Sequence, residues 1–348
     1  CLHCGSDCTC EEKERQLTTA ECFEVIEDLA DIGCKTVILS GGEPLMREDV
    51  GAIASMIRRM GMELSFISNG YLVNEETIKM LDAVSPIAYG ISIDAGEAYL
   101  HDYIRGKKGV FEHLEKAIKL LQEHNIQPSI VTTIHKLNFE QLPKIRDFLI
   151  KNNVRLWQIQ YADYIGRTSR ELMVTEAQYF EIAKFILETR EKYGEYFDEV
   201  SGADVVGYLG KMGTKVQGAW WGCHAGMHAL GIGSDGTIRG CLSLQMDKFK
   251  EGNTHERSLK EIWNDRNSFA YNRRFDCSML TGYCKTCVYG SVCKGGCIRA
   301  ASTDGGRCNP YCLYKFEKEG FSSDEQAKIH FTKQELFDIY NPIRPLPE

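Results

Sequence analysis

Cysteine is the residue type whose number and spacing most clearly indicate chemistry in this chain. The sequence contains 15 cysteines in 348 residues, and the stretch from 35 to 222 contains none. The stretch from 223 to 312 contains nine. Four of these form the array CKTCVYGSVCKGGC, which comprises Cys284, Cys287, Cys293 and Cys297. Four thiolates can hold one zinc ion or one iron–sulfur cluster, so the spacing alone leaves both metals open.

Further cysteines extend this array on both sides. Cys223 and Cys241 precede it, and Gly236 stands five residues before Cys241. Cys308 and Cys312 follow it, so the region has enough thiols for two metal centres. An odd total of 15, with a long cysteine-free middle, favours soft-metal ligation in a reducing cytoplasm over a disulfide scaffold.

A second group of cysteines begins the chain. The stretch CLHC pairs Cys1 with Cys4, and such a pair can belong to a zinc site, a redox dithiol or a larger metal site. The other cysteines of this group have no assigned metal role. We expect Cys8 and Cys10 to be free thiols near CLHC, and we expect Cys22 and Cys34 to be buried.

The elements that must position these residues alternate between strand and helix up to about residue 195. Short β-branched or alternating runs predict five strands, at 36–40, 64–68, 88–93, 128–133 and 156–161. Apolar residues at helical spacing lie between them, and the first such helix follows a capping box at Thr18-x-x-Glu21. This alternation predicts a parallel sheet with helices outside, and a barrel of this type places its chemistry in the loops that follow the strands.

The alternation stops after residue 195. Residues 220–315 are rich in Cys, Gly and turns, and we expect such an irregular region to depend on bound metal for its fold. A β-hairpin is predicted over GIGSDGTIRGCLSL, with Asp-Gly at its turn, and a short helix over RSLKEIWND. A further helix is predicted at 332–340 in the tail.

Three short polar motifs follow three consecutive predicted strands. SGGEP covers 40–44, SNG covers 68–70 and SIDA covers 92–95. Glycines let a ligand approach the backbone closely, and the Glu43 carboxylate can accept hydrogen bonds from an ammonium group. SGGEP alone is also explained as a plain turn, with Pro44 starting a helix. Together the motifs outline one rim of the predicted sheet.

CLHC, followed by these strand-end motifs, resembles the radical SAM superfamily. In that superfamily a Cys-x3-Cys-x2-Cys loop after the first strand holds a 4Fe–4S cluster, to which S-adenosylmethionine (SAM) binds. The resemblance implies that Cys1 and Cys4 are the last two ligands, with His3 at a position often held by an aromatic residue. It also implies a first ligand four residues before Cys1, and a first strand before that. A triad that begins at Cys4 fails, because its third position holds Glu11.

The resemblance also implies which residues bind SAM. Glu43 and the backbone beside it would bind the methionine amino group, and Arg105 either reaches an anionic group or forms a surface ion pair. Gln158 and Gln160 share one face of the last predicted strand, and one of them is expected to face the barrel interior. The full set implied to bind SAM comprises Gly41, Gly42, Glu43, Pro44, Ser68, Asn69, Ser92, Asp94 and Gln160.

The C-terminal cysteines resemble the SPASM extension of the same superfamily, in both order and spacing. This resemblance favours iron–sulfur clusters over zinc and implies two auxiliary clusters of the 4Fe–4S type. The implied ligands are Cys223, Cys241 and Cys297 for the first cluster and Cys284, Cys287, Cys293 and Cys312 for the second. Cys277 or Cys308 would complete the first set. Otherwise that cluster keeps an open iron, which could bind a substrate thiolate.

The fold implied by the resemblance is α/β, a partial (β/α)6 TIM-like barrel followed by an irregular Cys-rich iron–sulfur (SPASM) domain. The expected organisation is a barrel at 1–195, a bridging region at 196–220, the SPASM domain at 221–315 and a tail at 316–348. The implied activity is hydrogen-atom abstraction by a 5′-deoxyadenosyl radical, which cross-links or oxidises a ribosomally made peptide. Maturation of a protein, such as a sulfatase or dehydrogenase, or of a cofactor precursor is the alternative. A non-catalytic electron carrier is a third hypothesis, against which the polar rim argues.

Charge and hydropathy limit the partners. The formal net charge of −8 argues against a dedicated nucleic-acid binder, and the sequence lacks an apolar run of about 18 residues that would predict a membrane span. We therefore expect a cytoplasmic protein. Its implied partners are a precursor peptide or protein and a reductant such as flavodoxin or ferredoxin.

Overall fold

The computed structural model describes residues 1–8, 15–203, 205–301 and 306–320. Cys10 and the helix predicted at 332–340 lie outside the described residues. The described chain forms a parallel sheet covered by helices on one face, followed by a region of short elements.

Six strands form the parallel sheet in the described part of the chain, and they are hydrogen-bonded in chain order. These strands are β1 Thr36–Leu39, β2 Glu63–Ser68, β3 Ala88–Ser92, β4 Pro128–Ile134, β5 Leu156–Tyr161 and β6 Glu199–Gly202. Every neighbouring pair is parallel. The sheet confirms the predicted partial TIM-like barrel, and its first five strands coincide with the five predicted ones.

Helices follow most of these strands and cover the sheet. The helices of the described residues are α1 Thr19–Asp31, α2 Val50–Arg59, α3 Glu75–Val84, α4 Ala98–Arg105, α5 Val110–Glu123, α6 Leu142–Lys151, α7 Glu176–Tyr193, α8 Lys211–Gln217, α9 Leu259–Asn264, α10 Ala270–Arg273, α11 Gly290–Cys293, α12 Ile298–Ala301 and α13 Leu313–Glu319. The predicted capping box starts α1, because Glu21 N donates to Thr18 Oγ1 while Thr18 N donates to the Glu21 carboxylate. None of the helices in the described ranges is long and apolar enough to cross a membrane.

The sheet has one face against the helices and one face toward the barrel interior. On β2, Leu64 and Phe66 point to the helices and are buried. Ile67 lies on the opposite face, toward the barrel interior, and is 37% exposed. The helix-facing side chains build the main core, against which Cys22 and Cys34 also pack. The two predicted buried cysteines are half-buried at its margin.

The interior face continues across the sheet through the parallel register. Ile67 is opposite Gly90, Val131 is opposite Gln158, and Thr133 is opposite Gln160. Gln158 and Gln160 therefore share the interior face, as predicted. The residues of β1–β6 include no lysine and no arginine, so the strands themselves present an uncharged or acidic surface to the interior.

The last strand of the sheet was not predicted. β6 has only four residues, with the sequence EVSG, and three of them are polar or glycine. Such a strand is too short and too polar to give a pattern. It pairs with β5 from Leu156↔Glu199 to Ile159↔Gly202, so the sheet continues past residue 195 into the segment expected to be a bridge.

The region after the barrel contains a small antiparallel sheet and short helices. Its strands are β7 Gly231–Ile232, β8 Thr237–Arg239 and β9 Gly252–Asn253. The predicted hairpin is confirmed, since Gly233 N donates to Thr237 O at 2.8 Å and Gly236 takes a left-handed φ of +81° at the turn. Helix α9 confirms the short helix predicted over RSLKEIWND.

Candidate functional site

The loop formed by residues 1–4 is attached to the end of α4. Leu2 N donates to Ile104 O at 2.8 Å. The neighbouring Arg105 Nη1 lies 3.8 Å from Cys1 Sγ, within reach of a hydrogen bond to sulfur. The backbone and one thiol of this loop are therefore positioned by the helix that follows β3.

A second contact comes from residues 163–167, which follow β5 and are called the post-β5 segment below. Arg167 N donates to Cys4 O at 3.0 Å. Gly166, with φ +55°, lies so close to the Cys4 carbonyl that a Cβ atom would clash with it. The loop of residues 1–4 is thus held between α4 and the post-β5 segment.

Cys8 lies between this loop and the GGEP turn. Its backbone N donates to Cys4 Sγ at 3.4 Å, and its thiol forms a hydrogen bond that lowers the pKa of Cys4. On its other side, a Cβ atom at Gly42 would be 3.7 Å from Cys8 Sγ. The structure therefore places Cys8 near CLHC, as expected, and adds that it also contacts GGEP.

The GGEP and SNG motifs meet at the Glu43 carboxylate. Ser68 Oγ donates to Oε1 at 2.9 Å and Asn69 N donates to Oε2 at 2.7 Å. Leu45 N also donates to Oε1, at 3.2 Å, so that Glu43 caps the turn that Pro44 begins. Burial raises the pKa of this carboxyl, and the three hydrogen bonds oppose that shift. A half-buried carboxylate at a strand end can bind an ammonium group.

Asp94 of the SIDA motif is fully buried beneath the loop of residues 1–4. Its Oδ2 lies 2.6 Å from Arg105 Nη2 and 3.4 Å from His3 Nε2, and its Oδ1 accepts a hydrogen bond from Thr133 N at 3.0 Å. The Arg105 side chain is 12% exposed. Arg105 therefore forms an ion pair, one of the two roles considered from the sequence, but the pair is buried rather than on the surface.

Three buried histidines surround this ion pair. Asp94 N lies 3.2 Å from His101 Nδ1, and the rings of His3 and His135 are 5.3 Å apart. Burial lowers the pKa of His101 and of His135 to about 3, and it lowers the pKa of His3 well below its usual value. All three are therefore neutral near pH 7, and Arg105 carries the positive charge of the group.

The remaining residues implied to bind SAM lie at the same strand ends. Gly41, with φ +111°, is exposed, and Ser92 is the half-buried last residue of β3. Gln160 Nε2 donates to Thr133 Oγ1 at 2.9 Å. This bond fixes the Gln160 amide on the interior face, next to the strand end that carries Asp94.

The first C-terminal set of cysteines comes together in the fold. Cys223 and Cys297 form a thiol–thiol hydrogen bond, and Cys241 lies close enough to interact electrostatically with both. Ser243 N donates to Cys241 Sγ at 3.4 Å, and Cys297 N donates to Tyr208 Oη at 3.3 Å. Backbone N–H groups directed at sulfur and converging thiols fit an iron–sulfur cluster.

The second set lines one cavity. Its members are Cys284, Cys287, Cys293 and Cys312, with tyrosines around them. Cys308 lies beside this set, since its thiol hydrogen-bonds with Cys284, and it is not placed with the first set. Cys277 is exposed on a short turn. The structure therefore offers Cys308 as a fifth thiol of the second set.

The donor atoms of both sets are thiols, which are the soft ligands of zinc and of iron–sulfur clusters. Within the ranges that the structure describes, no three His, Cys, Asp or Glu side chains converge tightly enough to hold a single metal ion. A four-iron cluster differs from a single ion in this respect, because each of its thiolates binds a different iron. Both thiol sets fit the cluster in type, and the second set supplies four or five thiols whereas the first supplies three.

One further contact has no signal in the sequence. Arg299 Nε lies 3.1 Å from Asp163 Oδ2 in a buried ion pair. The two residues are 136 positions apart, and neither stands in a motif. Through this pair the post-β5 segment, which contacts Cys4, also contacts the residues that follow Cys297.

Family models match two parts of this chain. Residues 1–149 match the model of the radical SAM superfamily, and residues 223–288 match the SPASM model, which describes an iron–sulfur cluster-binding domain. The first match contains CLHC and all three strand-end motifs. The second contains Cys223, Cys241 and the start of the tight array.

Curated relatives and solved structures extend the likeness to nearly the whole chain. AdoMet-dependent heme synthase of Methanosarcina barkeri is 27% identical, over 90% of this chain and 93% of the relative. PqqA peptide cyclase of Bradyrhizobium diazoefficiens is 25% identical, over 90% of this chain and 82% of the relative. Streptococcus suis SuiB has a TM-score of 0.68 with SAM bound and 0.69 with the precursor peptide SuiA bound. Both comparisons are at 18% identity and cover 87% of this chain and 71% of SuiB, which shows a shared fold.

Proposed function

Because this chain is a radical SAM protein that carries a SPASM domain, we propose that it modifies a ribosomally made peptide by abstracting a hydrogen atom from it. The modification is a thioether or carbon–carbon cross-link, or the oxidation of one residue. The proposal that this chain is an enzyme rests on one observation: Ser68 and Asn69 donate hydrogen bonds to the Glu43 carboxylate beside the loop that holds Cys1 and Cys4. A protein that only carries electrons does not need a group of polar residues that could bind SAM.

The residues divide between the cofactors as follows. Cys1 and Cys4 would hold the 4Fe–4S cluster to which SAM binds. Two auxiliary clusters would be held by the first and second C-terminal sets of cysteines. The residues proposed to contact SAM are Gly41, Gly42, Glu43, Pro44, Ser68, Asn69, Ser92 and Gln160. Asp94, which the sequence also implied, is fully buried against Arg105 and His3 and would act through the loop of residues 1–4 instead. When bound, the cluster and SAM supply a 5′-deoxyadenosyl radical that removes a hydrogen atom from the substrate.

The chain's own residues would bind and orient SAM and the substrate, and they would exclude water from the site. Glu43 accepts hydrogen bonds from the methionine ammonium group, and its bonds to Ser68 and Asn69 keep the carboxylate oriented. Asp94 and Arg105, with the neutral histidines, fill the space beneath the cluster loop and fix Cys1. The interior face of the sheet holds the substrate so that its C–H group lies close to the reactive carbon.

The peptide class is favoured by the interior face. The strands that form it carry no lysine or arginine, and Ile38, Ile67 and Val131 lie on it with Gln158 and Gln160. Such a surface suits an uncharged side chain and a peptide backbone. The heme synthase relative suggests a tetrapyrrole instead, but a tetrapyrrole with several carboxylates needs cations. Arg105, Arg167 and Arg299 are each paired with an aspartate, respectively Asp94, Asp7 and Asp163.

The proposal is tested with full-length, reconstituted protein under anaerobic conditions, with flavodoxin or dithionite as reductant. We expect SAM to be cleaved to 5′-deoxyadenosine and methionine, and a small peptide encoded by a neighbouring open reading frame to lose two hydrogen atoms in mass. Absence of SAM cleavage by protein loaded with iron would overturn the enzymatic proposal. SAM cleavage that alters an iron–tetrapyrrole but not the peptide would replace the peptide class by the tetrapyrrole class.

Iron content tests the ligand assignment of the N-terminal cysteines. Cys4→Ser is expected to lower bound iron by about one-third, because one of three four-iron clusters is lost. Cys8→Ser is expected to leave the iron content unchanged, and Cys22→Ser, at the margin of the core, serves as the matched control. Iron and sulfide are measured per chain after reconstitution. Equal losses from the Cys4 and Cys8 variants would assign Cys8 as a ligand as well.

A further inference from the structure

A buried ion pair joins the barrel to the SPASM domain beside the first set of cysteines. Arg299 Nε lies 3.1 Å from Asp163 Oδ2, with the side chains 12% and 1% exposed. Asp163 Oδ1 also accepts a hydrogen bond from Tyr164 N at 2.8 Å. Arg299 lies in α12, two residues after Cys297. Charges at this depth act on their neighbours more strongly than charges in water.

Polar atoms next to this pair lack protein partners. Among the described residues, Arg299 Nη2 and Tyr161 Oη are buried and have no hydrogen-bond partner. Tyr161 is close enough to Asp163 and Arg299 to interact with both charges. Buried donors nearly always find an acceptor. An acceptor that does not belong to the protein is therefore expected here.

The sulfur atoms of the proposed first auxiliary cluster are candidate acceptors. Arg299 lies in α12, which begins directly after Cys297, and its guanidinium group is buried against Asp163. It interacts electrostatically with Cys297 and with Cys241, two of the three cysteines of the set.

We propose that Arg299 and Asp163 set the reduction potential of the first auxiliary cluster. Arg299 does so by its charge and by N–H donation toward the cluster's sulfur atoms, and Asp163 does so by offsetting part of that charge. The inference depends on the proposal that Cys223, Cys241 and Cys297 hold an iron–sulfur cluster. It assigns the two residues a positioning and tuning role, not a catalytic one.

The direction of each effect follows from charge. A cluster becomes more negative when it accepts an electron, so a nearby cation stabilises the reduced form and raises the potential, whereas a nearby anion lowers it. Removing Arg299's charge should therefore lower the potential, and removing Asp163's charge should raise it. If the ion pair only held the two domains together, the two single variants would not shift the potential in opposite directions.

The test is a redox titration of full-length, reconstituted protein followed by electron paramagnetic resonance. Cys241→Ala identifies the signal of the first auxiliary cluster by its loss. Arg299→Gln is expected to shift the midpoint potential of that signal to more negative values, and Asp163→Asn to more positive values. Arg299→Lys, which keeps the charge, should lie between Arg299→Gln and the wild type. The double variant should lie close to the wild type.

The chain provides a matched control in a second ion pair between the same domains. Lys260 Nζ lies 2.7 Å from Asp31 Oδ2, but the two side chains are 50% and 58% exposed. Lys260→Gln and Asp31→Asn should leave all midpoint potentials unchanged, because solvent screens exposed charges. The proposal is overturned if Arg299→Gln and Asp163→Asn shift the potential in the same direction or not at all.

Two further outcomes are decisive. If Arg299→Gln does not fold, Asp163→Asn and Arg299→Lys decide the question alone, and an unshifted potential in Asp163→Asn overturns the proposal. The titration needs neither SAM nor peptide, so an incorrect substrate class does not affect it. Iron and sulfide content unaffected by Cys241→Ala would show instead that the first set holds no cluster, which refutes the premise and the inference together.

Discussion

Replacing Glu43 with alanine is expected to abolish detectable SAM cleavage by the reconstituted protein. The substitution removes the carboxylate proposed to bind the methionine ammonium group, and it also removes the acceptor for Ser68 Oγ and Asn69 N. Loss of one partner from a desolvated charge pair costs about 2–5 kcal/mol, which corresponds to a decrease of roughly 30-fold to 4,000-fold in SAM affinity. Calorimetric titration with SAM and detection of 5′-deoxyadenosine measure the two effects.

Two further variants separate the charge of Glu43 from its shape. Glu43→Gln keeps an acceptor for one neighbour and removes the charge, so it should bind SAM weakly while the rim stays folded. Glu48→Ala changes an exposed acid only five positions away and should bind SAM like the wild type. Normal SAM binding by Glu43→Gln would contradict the proposed contact with the ammonium group.

The pH dependence of SAM binding gives an independent measurement of the same contact. Burial raises the pKa of Glu43 in the free protein, and only the ionised carboxylate attracts an ammonium group. SAM affinity should therefore be constant above this raised pKa and fall tenfold per pH unit below it, because binding must then release a proton. In Glu43→Gln, SAM affinity should not change with pH in this acidic range. The same decrease in both proteins would mean that another group, not Glu43, titrates there.

Arg105→Leu is expected to lower the free energy of unfolding by about 3–5 kcal/mol, because it leaves the Asp94 carboxylate buried without its charged partner. The Asp94–Arg105 distance is 2.6 Å and Asp94 is fully buried. Since Arg105 also contacts Cys1, the variant should bind less iron at the N-terminal loop. The urea midpoint and the iron content per chain measure the two losses.

The control for this variant is an exposed ion pair in the same half of the barrel. Lys144 Nζ lies 2.8 Å from Glu97 Oε2, with side chains 50% and 37% exposed. Lys144→Met should therefore change stability by less than about 1 kcal/mol. Similar urea midpoints for the Arg105 and Lys144 variants would mean that Asp94 is stabilised in another way.

The sequence predicted the parts of this fold that depend on local pattern. The first five strands, the capping box at Thr18 and the hairpin around Gly236 are each specified by residues that are close in the chain. The meeting of Glu43 with Ser68 and Asn69 was predictable as well. Consecutive parallel strands end at the same edge of a sheet, so motifs at their ends must be neighbours.

Contacts between distant charged residues could not be predicted in this way. Arg105 stood in no pattern that distinguished a buried pair with Asp94 from a surface pair, because burial depends on the packing of α4 beneath the loop of residues 1–4. Asp163 and Arg299 gave no signal at all. Cys308 was considered for the first cysteine set, but the chain folds it against Cys284, which spacing alone does not reveal.

The post-β5 segment has a consequence for recombining such proteins. Its Arg167 and Gly166 fit against Cys4, while Asp163 pairs with Arg299 on the other side. One stretch of five residues is therefore fitted to both halves of the molecule at once. A chimera that joins this barrel to the SPASM domain of another parent must take Asp163 and Arg299 from the same parent, or it will leave a lone charge enclosed at the seam.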